Sequence, residues 1–96
     1  MVAQVKKTSD WEIELGRRVR LVRKQRRMTQ QELADRSNVS RSAIKYLESG
    51  KGSSLATFLN VTRALDLDEN LDQIFAVVST VSPLALLQAK KKAGQL

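Results

Sequence analysis

From Trp11 to Phe75 the apolar residues recur at intervals of three and four, the repeat of helices that bury one face. In the first such segment Trp11, Leu15, Val19 and Val22 share one narrow arc, predicting a core-facing helix that Ser9 and Glu12 open as a capping box. Arg17, Arg20, Lys24 and Arg27 line its opposite side, while Arg23 falls at the edge of the apolar stripe. A second capping box, Thr29 with Glu32, starts a short helix that turns Leu33 and Ala34 inward and ends near Arg36. Asn38 follows where a tight link needs left-handed backbone, which asparagine tolerates, and Val39 plugs the corner. Ser40 then caps a third helix with Ile44 and Leu47 inward, and residues 49–53, with two glycines, read as its stop and a loop. A fourth helix from about residue 55 to 65 buries some of Phe58, Leu59, Val61, Thr62, Ala64 and Leu65. Asp68 is the expected N-cap of a fifth, holding Leu71, Ile74 and Phe75.

The expected fold class is therefore all-α, a compact five-helix domain over residues 9–75, with an N-terminal arm at 1–8 and a C-terminal extension at 76–96. In that extension residues 76–81 are β-prone, and Ser82-Pro83 reads as the start of a last amphipathic turn with Leu84 and Leu87. The apolar excess of Leu71, Ile74, Phe75, Val77, Val78 and Val81 is expected to pair subunits in part.

Charge narrows the partner. The 96 residues carry a net +7, and it is unevenly placed: residues 1–51 hold 13 basic and 6 acidic side chains, residues 52–89 hold 1 and 4. A basic N-terminal half and a basic tail favour a polyanion, either nucleic acid or an anionic membrane surface. Without cysteine or histidine the chain has no disulfide, thiol nucleophile, Cys-based zinc site or imidazole base. No apolar run approaches the roughly 18 to 20 residues of a membrane span, and MVAQVKKTSD lacks a signal-peptide core, so a cytoplasmic protein without membrane contact is expected. The stretch from Asp66 to Asp72 begins like a calcium loop, but Leu71 stands where glycine is required and Val77 where the bidentate glutamate belongs. No paired acid and base and no phosphate-binding glycine loop appear, so neither catalysis nor a metal or other cofactor is expected.

Two short helices joined by a tight turn, with small Ala34 at their crossing and Val39, Ile44 and Leu47 locking the pair, form a helix-turn-helix. With RRVRLVRKQRRMTQQELADRSNVSRSAIKYLESGKGSSLATFLNVTRALDL around it, the chain closely resembles the lambda-repressor-like, or Xre/Cro, family of DNA-binding domains over residues 10–75. The resemblance implies that Gln30 binds a phosphate and buttresses the recognition helix, and that Ser40, Arg41, Ser42, Lys45 and Tyr46 face the bases. Arg41 suits a guanine edge, and Tyr46 a thymine methyl or a phosphate. The resemblance also implies a structural ion pair between Arg23 and Glu48, and phosphate contacts from Ser49, Lys51, Ser53 and Arg27. Departures from the family pattern are Asn38, often glycine in relatives, and the extension after Phe75.

The expected function is a sequence-specific transcriptional regulator, a repressor that binds palindromic double-stranded operator DNA as a homodimer and is nucleoid-associated when bound. The rival is a HipB-type antitoxin that holds a toxin protein and autoregulates its operon, with residues 76–96 as the supporting feature. RNA ranks below both, because no aromatic stacking platform accompanies the charge.

Overall fold

The computed structural model describes residues 5–76. These form α1 (Thr8–Gln25), α2 (Gln30–Ser37), α3 (Arg41–Glu48), α4 (Leu55–Ala64) and a 3-10 helix (Asp68–Gln73), with no strand among the described residues. Expectations for residues 77–96, including the β-prone stretch and the turn at Ser82-Pro83, lie outside this range.

Short polar side chains set three of the starts. The hydroxyls of Thr29, Ser40 and Ser54 each accept from the backbone N–H three residues on, all at 3.0 Å. The Glu32 carboxylate completes the box at α2 by accepting from Thr29 N at 3.0 Å. The start of α1 differs from the expected one. Ser9 lies inside the helix, Lys7 is the cap residue, and the Asp10 carboxylate accepts from Lys7 N at 3.0 Å. Lys6 anchors this earlier start by pairing with Glu14 and by lying over the Trp11 ring, 4.5 Å from its centroid.

Between α2 and α3 the chain reverses at Asn38, whose φ of 55° and ψ of 44° are left-handed. Asn38 N and Val39 N then donate to carbonyls at the end of α2, Val39 to Ala34 O at 3.0 Å, satisfying groups the helix itself leaves open. The core gathers Val19, Met28, Leu33, Ala34, Ile44, Leu47, Val61 and Leu65, with Val22, Val39 and Phe58 against it. Trp11 does not join it. At 45% exposure its ring rests under Lys6, more than a turn before the point where α1 meets α3.

That meeting point is Gly16. An added Cβ would stand 2.0 Å from the Leu47 carbonyl oxygen, so the α1 backbone lies directly on the last turn of α3. A second departure is the fifth helix, which is a short 3-10 segment. Leu67 is its cap residue, Asp68 makes no capping bond, and Ile74 and Phe75 follow the end of the helix, both exposed. Leu71 of the 3-10 helix and Ile74, in extended backbone just past its end, line the same groove; Phe75, left-handed at φ 60°, does not. The helices pack as α1 on α3 and α2 on both α3 and α4, while α1 and α4 scarcely touch.

Candidate nucleic-acid interface

Ile44 and Leu47 are the buried positions of α3, and their burial turns Arg41, Ser42, Lys45 and Tyr46 outward, all exposed. The helix is held in that rotation from its C-terminal end. Arg23 Nε donates to Glu48 Oε2 at 2.6 Å and an Arg23 Nη to Glu48 Oε1 at 3.0 Å, a two-pronged pair. The other Nη donates to Met28 O at 2.8 Å, so one guanidinium ties α1 to the α1–α2 turn and to α3. With side-chain exposures of 9% and 4%, neither charge has water to fall back on.

Glu48 also accepts from Gln30 Nε2 at 3.2 Å. The start of α2 is thereby fixed against the end of α3; with Glu32 N donating to Thr29 Oγ1, the Gln30 and Gln31 amides remain among those a helix cannot satisfy internally. Such amides are ready donors to an anion. This network lies in the floor of a concave surface walled by Arg20 of α1, Gln30 and Gln31 of α2, and Arg41 and Lys45 of α3. On the other flank of α3 a second depression is lined by Ser42, Lys45, Tyr46, Ser49 and Lys51. Lys45 and Ser49 border both.

The loop after α3 is folded back onto that helix. Lys51 N donates to Tyr46 O at 3.0 Å, and Lys51 Nζ stands 5.5 Å from the Tyr46 ring centroid. Gly50 permits this at φ 77°, where an added Cβ would meet Ile13 Cα at 2.8 Å. Ser49 Oγ donates to Tyr46 O at 3.1 Å.

Seven of the ten expected contact residues therefore line one of the two depressions flanking α3: Gln30, Arg41, Ser42, Lys45, Tyr46, Ser49 and Lys51. Three do not. Ser40 is exposed at the cap, its oxygen engaged by Ala43 N at 3.0 Å. Ser53 lines a separate depression near the start of α4 and donates to Ser54 O at 2.8 Å. Arg27 is exposed in the α1–α2 turn, in left-handed backbone with φ 56°.

Arg20 and Gln31 belong to the concave surface although the sequence did not single them out individually. Their signal was faint: Arg20 lies three residues before Arg23 and hence beside it on α1. Gln31 Nε2 is oriented by Asp35 Oδ1 at 2.9 Å. The net result is a row of cationic and amide donors, with the nearest buried carboxylate already occupied by Arg23 and Gln30.

No helix among the described residues is long and apolar enough to cross a membrane, and none of their His, Cys, Asp and Glu side chains cluster as a metal site. A family model for the helix-turn-helix domain matches residues 14–73. No curated protein sequence matches the chain.

Proposed function

Because the chain belongs to the helix-turn-helix domain family, we propose that it is a sequence-specific DNA-binding transcriptional regulator, a repressor that binds a palindromic operator as a homodimer. The observation that carries this reading is the exposed face of α3, held by the Arg23, Glu48 and Gln30 network and flanked on both sides by cationic side chains. A helix with its side chains is about 10–12 Å across, which suits a major groove about 12 Å wide. Within it Arg41 reads a guanine edge, Ser40, Ser42, Lys45 and Tyr46 adjust to neighbouring bases, and Gln30, Arg27, Ser49, Lys51 and Ser53 hold phosphates. Arg20 joins the phosphate set from α1. The protein acts in the cytoplasm, on the nucleoid. The antitoxin reading rests on residues 76–96, and no observation on the described residues favours it.

Base reading and charge are separable by substitution. Arg41→Ala is expected to cost about 1 to 3 kcal/mol on the cognate site and to relax preference at one base pair per half-site. Lys51→Ala is expected to weaken cognate and random duplexes alike and to flatten the salt slope by about one unit per subunit. Leu21→Ala, on an exposed part of α1, serves as the control. Fluorescence anisotropy over a salt series reads all three. An Arg41→Ala protein that loses affinity equally for every sequence overturns the assignment of base reading to Arg41.

A further inference from the structure

Because α1 and α4 stay apart, an apolar groove of about 330 Å³ opens between them, with Leu15, Val22, Phe58, Leu65, Leu71 and Ile74 in its walls. At roughly twice the ~150 Å³ of a closed apolar cavity, this open groove has room for more than one side chain. The groove shares no lining residue with either depression beside α3. Exposed apolar surface of this kind is costly in water, and the sequence supplies material to cover it.

We infer that residues 77–87 of the same chain fill this groove. The chain leaves the 3-10 helix at the groove itself, since Ile74 is part of the wall and Phe75 turns the backbone through left-handed φ. Residues 77–87, VVSTVSPLALL, then hold six valines and leucines and no charge. Eleven residues span about 16 Å as a helix and up to about 36 Å extended, against about 10 Å of α1 between Leu15 and Val22. Charge continues the match: Lys90, Lys91 and Lys92 follow, and Asp68, Glu69 and Asp72 are exposed on the 3-10 helix beside the groove. A segment attached at the rim has an effective concentration in the millimolar range, which favours it over the same segment from a second copy. The docked segment braces α1, the helix that supplies Arg23 to the network behind α3.

The absence of native cysteine allows a nitroxide to be placed on Ala85→Cys in the full chain. In isotope-labelled, spin-labelled protein diluted into unlabelled protein, the amide signals of Val22 and Leu71 are expected to be lost while those of Lys45 and Tyr46 persist. Adding Leu84→Asp and Leu87→Asp is expected to restore the lost signals, with the α3 signals unmoved. Loss seen only when the nitroxide and the isotope sit on different chains overturns the proposal in favour of a second copy. Equal broadening of both sets, or none, overturns it as well. These readouts are taken without DNA, so failure here leaves the DNA-binding reading untouched.

Discussion

Replacing Glu48 by leucine probes the buried network on which the placement of α3 depends. In the native protein Glu48 accepts from Arg23 Nε, an Arg23 Nη and Gln30 Nε2, at 2.6, 3.0 and 3.2 Å. Glu48→Leu leaves the Arg23 guanidinium buried with only Met28 O as a partner, and breaking a buried pair in this way costs about 3–5 kcal/mol. For 96 residues a total stability of roughly 5–14 kcal/mol is ordinary, so this single change removes a large part of it. Arg23→Met is expected to cost a similar amount, because Glu48 retains only Gln30. The double variant Arg23→Met/Glu48→Leu removes both charges and is expected to lie within about 1 kcal/mol of wild type or above it, since apolar replacement of a whole buried pair is often neutral or stabilising. Urea unfolding followed by circular dichroism measures all four proteins, with an unchanged slope as the check on two-state comparison. The double variant is also expected to bind DNA more weakly, because Gln30 loses its anchor. Single substitutions that cost less than about 1 kcal/mol, or a double variant equal to their sum, would show that Arg23 and Glu48 are not coupled as a buried pair.

Gly16→Ala should lower the melting temperature: the usual helix gain of about 1 kcal/mol is outweighed by overpacking of about 1–3 kcal/mol against the Leu47 carbonyl, 2.0 Å from the new Cβ. A rise in melting temperature would show that α1 can move off α3 freely. Asn38→Gly should leave stability nearly unchanged and Asn38→Ala should lose about 1–2 kcal/mol, because φ of 55° penalises a Cβ without a compensating amide; equal effects contradict the left-handed link. Glu14 is held down to about 2 from an ordinary 4.5, chiefly by the Lys6 hydrogen bond, and Glu32 is lowered by the Thr29 backbone N–H. Both folded values lie below the unfolded ones, so their stabilisation is present above about pH 4.5 and is lost as pH falls, for Glu14 toward about 2. Carboxyl chemical shifts followed through acid titration test this, and ordinary midpoints for both groups would contradict it.

What could be read from the sequence was chemistry confined to a few neighbouring residues. Thr29 with Glu32, Ser40 as a cap and Asn38 as a left-handed link depend on contacts within three or four positions, and each is found in the structure as expected. Where two local solutions compete, spacing cannot choose. Ser9 with Glu12 and Lys7 with Asp10 offer the same three-residue interval, and the anchoring of Lys6 on Glu14 and Trp11 selects the earlier one. Periodicity gives the side of a helix but not how far its neighbour extends, so Trp11 matched Val19 in phase and still lies outside the core. The fifth helix stands where it is expected but is of 3-10 type, because residues 68–73 are too few to distinguish three residues per turn from 3.6. Gly16 carried an overlooked signal, a glycine in mid-helix where alanine is favoured by about 1 kcal/mol, which marks close backbone approach. Arg20 and Gln31 join the concave surface through the mutual angles of α1, α2 and α3, which local pattern does not encode.

Selection of bound duplexes from a random library reads DNA binding, symmetry and half-site spacing together. A two-fold symmetric motif with half-sites about 34 Å apart, one helical turn, is expected to be enriched. The same selection with Arg41→Ala is expected to lose one specified base pair in each half-site. Absence of any enriched sequence at low salt, with the protein folded, would contradict the claim that α3 is a reading helix.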